Sequence, residues 1–234
     1  MVKMMTSVQL AVGLALVAAS AVAAAAETGT TPPPSEFEEA AMYVEQNATD
    51  GDTEVVIAGT AGDDGLRLLQ IKWPDREVMT TLLADRTTLG MREFHFESPE
   101  PPGEAVLAAY PEGRYALVGI ATTGERFRTV LTLSHDLPPA STILSPAGGA
   151  EVPARVPLTI QWSQVPGIEK FVLEFENESA DPERALTLDL PPGVTSFRIP
   201  ARLLPAGSEF QVGIHTVAEN GNIVVVESTF TTAE

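Results

Sequence analysis

From residue 140 onward, the dominant period in the pattern of apolar and polar side chains is two. Leu158, Ile160 and Trp162 are separated by Thr159 and Gln161. Phe171, Leu173 and Phe175 are separated by Val172 and Glu174, and Leu186, Leu188 and Leu190 by Thr187 and Asp189. Phe197 and Ile199 flank Arg198, and Phe210, Val212 and Ile214 flank Gln211 and Gly213. A period of two puts one side of each run in a core and the other in water, which predicts half-buried antiparallel strands. Turn chemistry separates the runs at Pro146-Ala147-Gly148-Gly149, Val165-Pro166-Gly167, Pro191-Pro192-Gly193, Pro205-Ala206-Gly207 and Glu219-Asn220-Gly221-Asn222. Seven strands in about 95 residues is the spacing of an immunoglobulin-like sandwich.

Residues 41–137 show the same grammar with weaker contrast. Val55 and Ile57, Leu69, Ile71 and Trp73, Leu82 and Ala84, Phe94 and Phe96, Tyr115 and Leu117, and Leu131 and Leu133 are its period-two sets. Six or seven strands are expected there, making a second sandwich. The stretch from Glu36 to Gln46 reads two ways. Phe37, Ala40, Ala41 and Val44 fall on one side of a short helix, but a first strand fits nearly as well.

Two breaks divide the chain. Residues 1–26 carry one charge, Lys3, before an apolar run from Val8 to an alanine-rich end. That is the layout of a secretory signal, with cleavage expected between Ala26 and Glu27. Ser20 and the alanines after it make the run weak for a permanent membrane anchor. Residues 27–36 contain Pro32-Pro33-Pro34, which favours an extended tether. The pair Pro138-Pro139 separates the two patterned regions, so the domains are expected at 37–137 and 138–234. The fold class expected is all-β: two tandem immunoglobulin-like β-sandwiches after a cleaved signal peptide. No second long apolar run follows, so no membrane span is expected after cleavage, and the location expected is secreted or periplasmic.

The segment LTIQWSQVPG (158–167), then FVLEFE (171–176), then LLPAGSEFQVGIHTVAENGN (203–222) resembles a fibronectin type III domain. One position departs from that family, where Phe210 stands in place of the usual tyrosine and lacks the hydroxyl of a tyrosine corner. A longer set of strings, NATDGD (47–52), FHFESPEP (94–101), YPEGRYALVGIATTG (110–124) and LTLSHDLP (131–138), resembles a group of exported two-domain bacterial proteins. These resemblances imply fold and export but no activity, because such modules serve as spacers, adhesion surfaces and enzyme appendages.

Composition narrows the chemistry. The chain has 32 acidic and 14 basic residues and a net charge of -18, so its field repels nucleic acid. It has no cysteine, which excludes disulfides, thiolate metal sites and cysteine nucleophiles. The expectation is a non-enzymatic interaction or spacer module with a protein or cell-envelope partner and no cofactor.

The alternative is a calcium- or carbohydrate-binding module. Asn47, Asp50, Asp52 and Glu54 crowd oxygen ligands into one loop, as calcium requires, although EF-hand spacing fails around Gly51. An Asx turn, in which Asn and Asp cap their own backbone, explains the same residues. Trp73 ends a strand before Pro74, where it either stacks on sugar or joins the core, whereas Trp162 sits on the core side of its strand. Ser134-His135-Asp136 holds hydrolase residue types. Consecutive strand residues point to opposite sides, however, and no G-x-S-x-G elbow is present. His95 and His215 alternate with apolar residues and are expected to face outward. Glu174, Glu176 and Glu178 read as one solvated strand side.

Overall fold

A computed structural model describes residues 33–63, 65–84, 89–100, 103–180, 182 and 184–234. The expected export signal and most of the expected proline tether lie outside the described residues. The chain is all-β. The N-terminal half contains β1 (Glu39–Asn47), β2 (Thr53–Thr60), β3 (Leu66–Lys72), β4 (Val78–Leu83), β5 (Glu93–Glu97), a short helix α1 (Gly103–Ala109), β6 (Gly113–Ala121) and β7 (Arg126–Leu133). The C-terminal half contains β8 (Ile143–Ser145), β9 (Ala150–Val152), β10 (Leu158–Trp162), β11 (Lys170–Asn177), β12 (Arg184–Leu190), β13 (Ser196–Ile199), β14 (Glu209–Val217) and β15 (Ile223–Thr232). Within the stretch from Glu36 to Gln46, the residues from Glu39 onward form a strand. Val44 faces the N-terminal core while Tyr43 faces the other side of the sheet, so both sides of β1 are apolar and helical periodicity is not needed to bury them.

Both halves wind the same way. In the N-terminal half β4-β3-β6-β7 forms one layer and β1-β2-β5 the other. In the C-terminal half the layers are β12-β11-β14-β15 and β13-β10-β8. With β9 set aside, each half has its first, second and fifth strands in one layer and its third, fourth, sixth and seventh in the other. The second sandwich expected from the weaker pattern is therefore present, with the strand order of the first.

Each sandwich has its own core. Leu66, Leu69, Ile71, Tyr115, Leu117 and Leu133 centre the N-terminal one. Trp162, Phe171, Leu173, Phe175, Phe210 and Phe230 centre the C-terminal one. Phe210 lies between Phe175 and Phe230 with ring centroids 5.1 Å from each, so stacking holds the position where a corner hydroxyl is missing. A hydroxyl of that kind sits in the other half. Tyr115, near the start of β6, is fully buried and donates to the Pro111 carbonyl at 2.8 Å. Its surroundings remove water from the phenol and push its pKa up to about 12, which keeps the hydroxyl a donor.

The two sandwiches are not beads on a string. The first strand of the N-terminal sandwich, β1, pairs in parallel with the last strand of the C-terminal one, β15, through Glu45↔Ile223, Gln46↔Val224 and Asn47↔Val225. One continuous sheet results, in the order β12-β11-β14-β15-β1-β2-β5. Asn222, 1% exposed in the β14–β15 turn, fixes this junction. Its Oδ1 accepts from the Val44 amide at 2.9 Å, and its Nδ2 lies 2.9 Å from the carbonyls of both Ser134 and Asp136 in the connecting segment. Asn220 donates to the same Asp136 carbonyl. The preceding Gly221 takes φ 87°, a left-handed conformation that suits glycine in so tight a turn.

Candidate functional site

The joint sheet has a second apolar side. Tyr43 (β1), Val56 (β2), Val172 (β11), Val217 (β14), and Ile223 and Val225 (β15) form a buried cluster that faces away from both sandwich cores. Titratable groups flank it. Pairing places Glu45 beside Ile223, Glu97 beside Val56, His95 beside Ala58, and His215 between Val172 and Val225. His215 Nε2 lies 3.3 Å from Glu174 Oε2, and His95 Nε2 lies 2.7 Å from Glu97 Oε1. His215 Nδ1 and Glu174 Oε1 are buried without a hydrogen-bond partner. Gly213 makes room for the ring, since a Cβ there would come within 3.3 Å of His215 Nε2 and 3.5 Å of Glu174 Cβ.

This setting corrects two expectations. His215 is 4% exposed, not solvated. The Glu174 carboxylate pairs with it inside the sheet and does not belong to an open acidic surface. Alternation around Ile214 correctly put His215 on the other side from the core, but the joint sheet is apolar on both sides. Runs such as Ile223-Val224-Val225-Val226 and Phe171-Val172-Leu173 carry the signal, because strands buried on both sides lose alternation.

Burial governs the acids here. Loss of water pushes the Glu54 carboxyl up to about 8, and the charges of Glu45, Glu97 and Glu100 add to the shift. Glu45 is raised by burial, with the charge of His215 opposing and those of Glu97 and Glu174 reinforcing. The Tyr43 hydroxyl is raised as well, first by burial and then by Glu45, Glu54 and Glu97. The arrangement concentrates acidic side chains, and burial shifts Glu45 and Glu54 toward the protonated form.

In the loop that reads as either a calcium site or an Asx turn, the side-chain oxygens cap their own backbone. Asn47 Oδ1 accepts from the Thr49 amide at 2.9 Å, and Asp50 Oδ1 accepts from the Asp52 amide at 3.0 Å, so both form Asx turns. Asn47 Nδ2 donates to Glu227 Oε2 at 2.8 Å, and Thr49 Oγ1 accepts from the Glu227 amide at 2.8 Å. The loop thus clamps the end of β1 to β15. Glu54 lies on β2, paired with Glu45. Among the described residues no three Asp, Glu or His side chains converge on a point that could hold a metal ion.

The remaining candidates hold structural posts. Ser134 Oγ accepts from the Asp136 amide at 3.1 Å, and His135 Nε2 lies 2.8 Å from the Tyr110 carbonyl, so the three residues form no relay. Trp162 is 1% exposed in the C-terminal core. Trp73 packs on the N-terminal core with its ring 5.7 Å from Tyr110 and 5.8 Å from Tyr115. No helix among the described residues is long and apolar enough to cross a membrane.

No family model matches the chain, and no curated protein gives a significant match. Among solved structures it is similar to the FN1–FN3 domains of chicken CNTN1, at 10% identity and a TM-score of 0.33, over 86% of this chain and 65% of that one. It is also similar to the fibronectin(III)-like modules of Clostridium thermocellum CbhA, at 8% identity and a TM-score of 0.31, over 86% of this chain and 92% of that one.

Proposed function

We propose that this chain is a non-catalytic interaction or spacer module of the bacterial cell envelope, exported by residues 1–26 and released after Ala26. The observation that carries the reading is the β1–β15 junction. A spacer must hold its ends at a fixed separation, and a sheet shared between domains with the linker bonded to Asn222 removes the hinge that a free linker would provide. The second support is the use of the reactive side chains. The hydroxyl of Ser134, the imidazole of His135 and the carboxylate of Asp50 each bond backbone groups, so these three side chains order loops and do not form a nucleophile–base pair with one another.

The test combines three measurements. N-terminal sequencing of the protein recovered from bacterial envelope and medium is expected to begin at Glu27. Photo-crosslinking in envelope extract is expected to give a discrete protein adduct. A panel of ester, peptide and glycoside substrates is expected to show no turnover. Turnover that disappears in Ser134→Ala or Glu174→Gln would replace this reading with an enzymatic one.

A further inference from the structure

Charge is distributed unevenly between the sheets. Each of the eight strands of the joint sheet carries at least one Asp or Glu. The four strands of the other N-terminal layer, β4-β3-β6-β7, carry none, although the chain as a whole stands at -18. They carry Arg67, Lys72, Arg114, Arg126 and Arg128 instead.

Register places four of these on one side. Tyr115, Leu117 and Ala121 of β6 point into the core, so Arg114, Ala116, Val118 and Ile120 point away from it. Lys72 pairs with Ala116, Arg128 with Val118 and Arg126 with Ile120, so all three share that outer side with Arg114. Residues directly opposite in a ladder point the same way. Gln70, Thr81 and Thr132 add neutral polar groups to this side, beside the apolar Leu68, Ala116, Val118, Ile120 and Val130. Among the described residues none of the four cations is in an ion pair. Three of the acids in the adjoining turns are engaged elsewhere. Glu125 accepts from Ser35 Oγ at 2.6 Å, Glu112 from the His135 amide at 2.8 Å, and Asp75 from the Glu77 amide at 2.9 Å.

We propose that the outer side of the β4-β3-β6-β7 sheet is a docking surface for an acidic segment of a partner protein, met by Lys72, Arg114, Arg126 and Arg128. This rests on the interaction-module reading and names the chemistry of its partner. Three of the four cations are arginines, whose planar fork suits carboxylates. Screening confines the repulsive field of the acidic remainder to about 8 Å at physiological salt, so a local patch of opposite sign can still select its partner. A bilayer fits less well. The exposed apolar side chains here are Val78, Leu83 and Val130, and the aromatic rings Tyr115 and Phe127 point inward, so the interfacial tryptophan or tyrosine anchor is missing. A second copy of this chain is told apart from a separate acidic partner by self-association in sedimentation.

The experiment is fluorescence anisotropy of labelled poly-L-glutamate titrated with the purified full chain in low-salt buffer. Arg114→Gln/Arg126→Gln/Arg128→Gln is compared with Arg184→Gln/Arg198→Gln/Arg202→Gln, which removes equal charge from the C-terminal half. Circular dichroism melts confirm that both variants fold. The expected result is binding that weakens at least about tenfold in the first variant and changes less than about twofold in the second. Binding should also fade as salt rises to about 0.15 M. Absence of low-salt binding, equal loss in both variants, preference for phosphatidylglycerol vesicles, or salt-sensitive self-association in sedimentation would each overturn the proposal. A discrete crosslinked envelope partner alongside any of these results leaves the module reading standing and removes only the acidic-partner assignment.

Discussion

Asn222 joins parts of the chain that lie far apart in sequence, accepting from Val44 in β1 and donating to the connecting segment at Ser134 and Asp136. Its position is almost fully buried, so removing the amide takes the partner from the Val44 donor and the Ser134 carbonyl, while Asp136 keeps its bond from Asn220. Asn222→Ala is expected to cost about 2–4 kcal/mol in urea denaturation, more than one ordinary hydrogen bond, because several groups lose partners together. Asn222→Asp should be nearly as costly, since a carboxylate keeps the acceptor but turns negative charge toward two carbonyls. The buried acids make a prediction of opposite character. Glu54 titrates near 8 in the folded protein against 4.5 as its ordinary value. The native state therefore binds more protons across that window, and stability falls as pH rises from about 4.5 to about 8. Glu45 is shifted the same way and adds to the slope. Glu54→Gln should flatten the dependence and raise stability at pH 8 by at least about 1 kcal/mol, read from urea midpoints across the range. A steeper dependence in the variant would show that the Glu54 carboxylate is stabilised by its neighbours more than burial penalises it.

At the scale of elements, alternation made most strands legible before any coordinates, because one period describes every strand with a core on one side and water on the other. It failed where that premise failed. β1 and β14 lie inside a sheet that is apolar on both sides, so Glu36–Gln46 also fits a helix and His215 reads as exposed. The pairing of β1 with β15 joins residues about 180 apart and leaves no local signature. The Asn47–Glu54 loop was legible as oxygen-rich, but the partner of those oxygens, Glu227, was not. Helix α1 went unread beside the Pro99–Gly103 break, because it is one short element whose single buried residue is Val106. Edge strands carry their own message. β7 is bridged by Ser35, and β5 and β12 carry charge, whereas β4 reads Val-Met-Thr-Thr-Leu-Leu with Leu83 74% exposed. An uncharged edge invites unwanted pairing. Leu83→Lys should leave the melting temperature nearly unchanged, because the side chain is already in water, while slowing aggregation in light-scattering assays above the melting point. Faster aggregation would assign the sticky edge to another strand.

At the scale of the molecule, the shared sheet decides how the halves lose structure. Two sandwiches on a free linker melt independently, each with its own enthalpy. Here unfolding of the C-terminal half removes Val172, Val217, Ile223 and Val225 from the cluster that also buries Tyr43 and Val56 of the N-terminal half. It also removes Asn222 from Val44. Fully burying one large apolar side chain contributes about 1.5–3 kcal/mol, so exposing even Tyr43 and Val56 costs the surviving half several kcal/mol of a stability that rarely exceeds about 15. Coupling of that size exceeds the margin by which one half could outlast the other. Scanning calorimetry should therefore show a single transition whose van't Hoff enthalpy approaches the calorimetric enthalpy for the whole chain. Asn222→Ala, which loosens the connecting segment without touching either sandwich core, should broaden or split it. Two resolved transitions in the unmodified chain would mean that the sheet joins the halves in geometry but not in energy, and with that the fixed separation required of a spacer would be lost.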